Sequence, residues 1–326
     1  MSTFFETPLV NGHLVRAARS IPNLLLKSIA PSTIKRYAYG FKHWTTWRRS
    51  HPEIPCLPVS GQHLAVYIAV AIQKNCPFGR VDSVCLGLSW LHRALGLQNP
   101  CDSSTVTMLR EAAKRILSKA VRKKEPLSPK DLRALAQRLR FGTLIDLRTL
   151  TVAVLSYAGF LRFDEVSTLR ANHITFEPGY VRLFIDHSKT DQHNEGREVL
   201  IAKIGSFACP VGVLRSYMKR ARVTKGFIFR PLQSTRGTHV LRKADKSISY
   251  STLRSDMLKA LADLGLDKSK FGLHSLRRGG ATQAANAGVS DRLFKKHGRW
   301  ASENAKDGYV EESVDALLSV SRSLGL

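Results

Sequence analysis

Two segments near the end of this 326-residue chain gather side chains able to handle a phosphate: HSLRRGGATQAANAGVS, beginning at His274, and HGRWASENAKDGYV, ending just after Tyr309. His274 and Arg277 stand in H-x-x-R spacing, one helical turn apart, and Tyr309 is the single tyrosine after His274, nine positions beyond Trp300. Upstream, GFLRFDEVSTLR carries Arg162 just after a helix-ending Gly159, and HSKTD carries Lys189 on a hairpin. Guanidinium groups present planar N–H forks that match phosphate oxygens. An indole offers one N–H and no acceptor, and a tyrosine oxygen becomes a nucleophile once it loses its proton. An isolated H-x-x-R carries almost no information; the order of these residues along the chain is what chance would rarely supply.

The bulk charge points to the same ligand class. Lys and Arg number 51 against 25 acidic residues, giving a formal charge of +26 and a pI near 10.3. Such repulsion opposes compaction unless a polyanion screens it, so nucleic acid is the first partner to consider. The longest apolar stretches, around His63 to Ile72 and Leu150 to Leu161, are shorter than a bilayer span, and the N-terminal segment shows no secretory leader pattern. The expected location is therefore intracellular, with DNA: the nucleus in a eukaryote, the cytoplasm or nucleoid in a bacterium. Five cysteines, Cys56, Cys76, Cys85, Cys101 and Cys209, form no C-x-x-C pair and read as small apolar residues of a reduced protein.

The elements that must position these groups follow from periodicity. From Ser32, STIKRYAYGFKHWTTWRR places Ile34, Tyr37, Phe41 and Trp44 at helical spacing, with Lys35, Arg36 and Lys42 on the remainder. Helices are expected near Gln62 to Gln73, Arg80 to Leu95 and Ser104 to Ala120, with no strand signal in that first third. Between Arg110 and Glu125 lie seven basic residues, among them Arg115, Lys119, Arg122, Lys123 and Lys124, and Pro126 and Pro129 then stop the helix. Such a run would neutralise backbone phosphates without reading sequence; a merely solvated linker is the alternative. SPKDLRALAQRL opens with a capping signature, and LIDLRTLTVAVLSYAGF reads as a buried helix ending at Gly159. Between Asn172 and Lys203 the period changes to that of three short strands joined by turns. Further helices are expected around Val211 to Arg222, Tyr250 to Leu264 and from His274 onward.

These motifs resemble those of the tyrosine recombinases, the phage integrase family. The resemblance is close from about Leu127 onward and looser before it. It implies a mainly α fold with a small antiparallel β-sheet (α+β), divided into a flexible tail over 1–20, a helical core DNA-binding domain over 21–120, a basic linker over 121–127 and a mixed α/β catalytic domain over 128–326 with a C-terminal tail helix. It implies that Tyr309 attacks a DNA phosphate to form a 3′-phosphotyrosyl bond, with Arg162 and Arg277 holding the nonbridging oxygens and Glu165 orienting Arg162. Lys189 becomes the general acid for the leaving 5′-oxygen; without the resemblance it reads as an exposed hairpin lysine. His274 either donates to the phosphate or accepts the tyrosine proton. Trp300 stands where many members carry histidine; some, Cre recombinase among them, use tryptophan there, and His297 then falls outside the pattern. Arg278 also lies outside it and is a candidate phosphate contact only.

No cofactor or metal is required by this chemistry. The implied partners are double-stranded DNA, gripped from both sides by the two domains, and three further copies of the chain in a homotetramer on two duplexes, the tail stripe Val310, Val314, Leu317, Leu318 and Leu324 docking on a neighbour or on its own domain. Two alternatives stand beside recombination: DNA relaxation of the type IB topoisomerase kind, and a recombinase-derived DNA-binding protein that no longer cuts.

Overall fold

The computed structural model describes residues 10–119, 123–186, 196–235, 237–300, 302, 308–311, 318–319 and 321–323. The chain divides into two compact units, Met1–Val121 and Arg122–Leu326.

The described part of the first unit is helical: α1 (Gly12–Lys27), α2 (Pro31–Arg48), α3 (Gly61–Gln73), α4 (Phe78–Ala94) and α5 (Ser104–Leu117). Helix α1 covers residues 12–20 of the segment expected as a flexible tail. The Asn11 side chain accepts from the N–H groups of His13 and Leu14 and so caps it, while Pro22 is carried inside the helix. None of its residues is buried. Pro31 starts α2 with its φ already helical. Trp44, Leu64, Ile68, Val84, Leu88 and Val106 form the core. A Cβ on Gly40 would lie 2.0 Å from the Ser83 carbonyl oxygen, so glycine is what lets the α2 and α4 backbones touch. Helix α5 closes at Leu117, short of the expected Ala120, which lies outside the described residues with Val121 and Arg122.

In the second unit, residues of the basic linker are pinned down: the Glu125 N–H donates to Lys270 O and that of Leu127 to Ser275 O, both at 2.9 Å. Helix α6 (Pro129–Leu139) starts at Ser128, whose Oγ accepts from the Asp131 N–H at 3.1 Å. Helix α7 (Leu144–Ala158) starts at a Thr143–Asp146 capping box and is buried on nearly every side from Leu147 to Ser156, which makes it the central helix of the unit. It ends where expected, but the left-handed residue is Phe160 (φ 47), whereas Gly159 keeps a negative φ of −98. The short α8 (Phe163–Ser167) follows.

Strands β1 (Ile174–Glu177), β2 (Tyr180–Ile185) and β3 (Arg197–Ala202) form an antiparallel sheet in that order. Cross-strand pairs Val181↔Ile201 and Leu183↔Val199 place buried side chains on one face, as their alternation requires. Helices α9 (Pro210–Arg220) and α10 (Tyr250–Ala262) flank a second hairpin, β4 (Leu232–Thr235) with β5 (Thr238–Leu241). That hairpin was not expected; only Leu232 and Leu241 of it pack on the core, so it carries too little apolar alternation to announce itself. Helices α11 (His274–Asn286) and α12 (Asp291–Gly298) complete the described elements. No described helix is long and apolar enough to cross a membrane.

Candidate active site

The site is built where α7, α11 and α12 meet. Gly279 and Gly280 of α11 allow this meeting: a Cβ on Gly279 would lie 2.1 Å from Leu127 O, and one on Gly280 2.0 Å from Tyr157 O. The close approach brings Arg277 against the ends of two helices. Its Nη1 donates to Phe160 O, past the end of α7, and its Nη2 to Gly298 O at 2.7 Å, at the end of α12. Helix C-termini present unpaired carbonyls and partial negative charge, so both ends favour a guanidinium, by up to about 2 kcal/mol in partly buried settings. Arg277 is fully buried, and burial first, then the nearby Arg162 charge, pushes its pKa down to about 9, which leaves it cationic at neutral pH.

One carboxylate serves three guanidinium groups. Glu165, 1% exposed, accepts the Arg162 N–H at 2.8 Å on Oε2 and Arg162 Nη1 at 2.8 Å on Oε1. Its Oε2 also meets Arg299 Nη2 at 2.7 Å and lies 3.7 Å from Arg277 Nη1. Three cations around one anion leave an excess of two positive charges facing any substrate. Arg162 keeps 14% of its side chain exposed, enough to reach solvent or a phosphate.

Burial alone would raise the Glu165 pKa, but Arg299, the Arg162 N–H, Arg277 and Arg162 together outweigh it and hold it below the ordinary carboxylate value. A depressed carboxylate adds stability that is complete above its unfolded pKa and is lost as pH falls through the lower folded one. Urea midpoints measured against pH should therefore drop for the parent as pH falls below the ordinary carboxylate range. Glu165→Gln should start lower, by about 3–5 kcal/mol as for a broken buried pair, and show a flatter acid limb. An unchanged acid slope would show that Glu165 carries no linked stability.

Arg299 was not identified from the sequence. It follows α12 in the left-handed conformation, φ 56 and ψ 39. The Trp300 N–H donates to Lys295 O and the Arg299 N–H to Lys296 O, both at 3.2 Å, the paired bonds of a Schellman ending, in which glycine is usual at the left-handed place. A non-glycine there costs about 1–2 kcal/mol. The glycine signal that normally marks such a helix end falls one residue early, at Gly298, which is why the turn hides in the sequence.

This turn delivers Trp300, 4% exposed, into a small aromatic cluster with Phe160 and Phe294. Its Nε1 is buried and has no hydrogen-bond partner among the described residues. The Tyr309 ring lies 5.5 Å from that of Trp300, and the Arg277 guanidinium sits 4.8 Å from the Tyr309 ring and 5.0 Å from the Trp300 ring. His274 Nε2 and the Tyr309 hydroxyl are 3.0 Å apart. Tyr309 lies in a turn and is anchored by its own backbone, since Thr282 Oγ1 donates to its carbonyl at 3.4 Å. His274, Arg277, Trp300 and Tyr309 thus form one contact group, to which Glu165 joins Arg162. Lys189 lies outside the described residues.

His297 faces away from the phenol: its Nε2 donates to Ala158 O at 2.8 Å and its ring packs edge-on against Phe160. Burial first, against that hydrogen bond, lowers its pKa and keeps it neutral. Arg278, the neighbouring candidate phosphate contact, is turned toward the linker. Only 9% exposed, it donates to Lys124 O and pairs with Glu311 at 3.3 Å, so its guanidinium fastens the linker. Among the other expected contacts, Arg36 shares Asp82 with Arg110, Lys124 Nζ donates to Ser269 O, and Lys35, Lys42, Arg115, Lys119 and Lys123 are exposed. Arg122 lies outside the described residues.

Comparison with known proteins gives a consistent result. The profile of the phage integrase family matches residues 125–314, more than half of the chain. An integrase/recombinase XerD homolog of Selenomonas ruminantium is 28% identical over 292 residues, covering 88% of this chain and 84% of that protein. Two solved structures share the fold: the XerH site-specific recombinase bound to palindromic difH substrate in a post-cleavage complex, and a lambda integrase tetramer bound to a Holliday junction. The first has a TM-score of 0.59 at 15% identity over 87% of this chain and 76% of that one. The second has 0.55 at 19% identity over 90% and 76%.

Proposed function

The chain belongs to the phage integrase family and is a tyrosine-type site-specific DNA recombinase, and from that premise we propose that Tyr309 is its nucleophile and that Arg162, Arg277, His274, Trp300 and Lys189 complete the active site. The observation that carries this reading is the contact group itself: a tyrosine hydroxyl 3.0 Å from an imidazole nitrogen, with a buried guanidinium 4.8 Å from the same ring.

The chemistry follows from those positions. The phenol oxygen attacks the phosphorus of a DNA phosphodiester, its proton passing to His274 Nε2. The bond from phosphorus to the 5′-oxygen breaks as the bond to Tyr309 forms, leaving a 3′-phosphotyrosyl ester. That ester conserves the phosphodiester energy, so a 5′-hydroxyl of another strand can reverse the step and join to it without a nucleotide. Negative charge growing on the nonbridging oxygens is met by preorganised cations, and a single such donor is worth about 2.7–4 kcal/mol. The unpaired Trp300 N–H supplies one more donor; leaving it unpaired and buried costs about 1–3 kcal/mol, which a phosphate oxygen would recover. Entry of the phosphate moves the Tyr309 ring off Arg277, whose Nε is also buried without a partner among the described residues.

Lys189 delivers the proton to the departing 5′-oxygen. Lys189→Ala should lose cleavage of an ordinary substrate by about 10²–10⁴-fold and regain it on a substrate whose bridging 5′-oxygen is replaced by sulfur, a leaving group that needs no proton. No regain would remove the general-acid role.

The exposed Lys35, Lys42, Arg115, Lys119 and Lys123 hold the duplex through its phosphates, with double-stranded DNA as partner and four copies of the chain on two duplexes as the working assembly. The lambda integrase tetramer on a Holliday junction supports that assembly by likeness of fold. Of the apolar tail stripe, Val310 packs beside Trp300 and Leu318 is 43% exposed, while Val314, Leu317 and Leu324 lie outside the described residues. Incubating the protein with two copies of its own site should yield recombinant junctions; relaxation of supercoils without them would assign a topoisomerase-like role instead.

A further inference from the structure

We infer that Arg299 is a positioning residue for strand transfer: it holds the Glu165 carboxylate and the Phe160 carbonyl in place so that Arg162 and Arg277 converge on one phosphate. The inference rests on the proposed role of Tyr309 and adds a residue that the catalytic pattern does not contain.

Arg299 is 2% exposed, and its terminal nitrogens are fully committed. Nη1 donates to Gly159 O at 3.1 Å and His297 O at 2.8 Å; Nη2 donates to Phe160 O at 2.9 Å and Glu165 Oε2 at 2.7 Å. A guanidinium so occupied does not itself meet substrate. It ties the segment 159–165, which carries Arg162, to the turn 297–300, which carries Trp300 and whose Gly298 carbonyl holds Arg277.

Two consequences follow from removing it. Glu165 Oε2 would lose its shortest ion pair and would draw in Arg277 Nη1, now at 3.7 Å and engaged with Phe160 O. The positive excess around Glu165 would fall from two charges to one. Both changes weaken the hold on a dianionic transition state while leaving the nucleophile and its histidine untouched.

The backbone offers a clean variant. At φ 56 the position already has the geometry glycine prefers, so Arg299→Gly keeps the α12 ending and deletes only the side chain. Arg299→Lys, which keeps a cation beside Glu165 but cannot fork to several carbonyls, serves if the glycine variant does not fold. The test is single-turnover cleavage of two DNA substrates, one ordinary and one with a methylphosphonate at the scissile position. The methyl group removes one nonbridging charge and with it much of the demand on the arginines.

Relative to the parent, the Arg299 variant is expected to cleave ordinary DNA about 10–100-fold more slowly, less than the about 10²–10³-fold of a lost donor that itself meets the charge, and methylphosphonate DNA within a few-fold of the parent. A merely structural role would slow both substrates equally, in step with a lowered melting temperature, and that result overturns the inference, as does no defect on either. If the parent itself forms no Tyr309 adduct, the functional reading fails at the start, and the inference falls with it for a different reason.

Discussion

Tyr309→Phe is expected to form no covalent protein–DNA adduct on a suicide substrate, while binding the same DNA with unchanged affinity. The phenylalanine ring keeps its place over the Arg277 guanidinium and beside Trp300, contacts that depend on the ring and not on the hydroxyl. The only described interaction lost is the 3.0 Å contact with His274 Nε2, which places the hydroxyl but is exposed. A net loss of about 1 kcal/mol or less in stability is all that the fold should register. The chemistry, in contrast, loses the atom that attacks phosphorus, and no other tyrosine follows His274 in the sequence. Adduct surviving at the parent level would displace Tyr309 from the reaction. Adduct lost together with DNA binding would show that the substitution had done something other than remove a nucleophile.

Arg277 should be the next most damaging position. Arg277→Ala takes a cation from beneath Tyr309 and Trp300, strands the carbonyl of Gly298 and leaves that of Phe160 to Arg299 alone. Cleavage should fall by at least about 10²–10³-fold, the range for a single preorganised donor, and the melting temperature should fall with it. Arg277→Lys separates the two effects. A lysine keeps the charge and can reach one of the two carbonyls, so stability should largely return. Cleavage should stay about 10²-fold down, because an ammonium cannot serve two fixed acceptors and a phosphate together. Single-turnover rates set beside thermal melts for both variants give the answer. A lysine variant that cleaves as fast as the parent would mean that Arg277 contributes charge alone.

Much of this arrangement is legible in the chain because it is written in local rules. Ser128 before Pro129, the Thr143–Asp146 box and the alternation of Val181, Leu183 and Ile185 each declare an element without reference to the rest of the fold. Glu165 is legible as the partner of Arg162 because three residues along a single turn bring them together. What escapes the sequence depends on contacts between distant segments. Arg299 and Glu165 meet across 134 positions of sequence, in a region where two glycines let α11 close on α7 and the linker, and no spacing rule joins those positions. Arg278, one residue from Arg277, has equal charge and a similar neighbourhood in the sequence, yet the helix turns it toward Lys124 and Glu311. Helix α1 is missed because Pro22 interrupts a pattern that the structure carries through, and the β4–β5 hairpin because it buries too little to show a period. Phe160, not Gly159, takes the left-handed conformation at the end of α7, and its carbonyl is the one that Arg277 and Arg299 both hold.

That shared carbonyl gives the site its logic. Two helix ends supply negative charge, one buried glutamate supplies more, and three guanidinium groups are assembled at a density that would otherwise repel. One of the three, Arg277, lies under the Tyr309 ring. Rigid preorganisation of this kind is what transition-state stabilisation needs, since the donors are already in place when charge appears on phosphorus.

The most direct measurement of that account is the identity of the residue joined to DNA. Trapping the parent protein on a suicide substrate, digesting the adduct and sequencing the modified peptide should locate one nucleotide-bearing residue, Tyr309, attached through a 3′-phosphate. Attachment to any other residue, or through a 5′-phosphate, would contradict it.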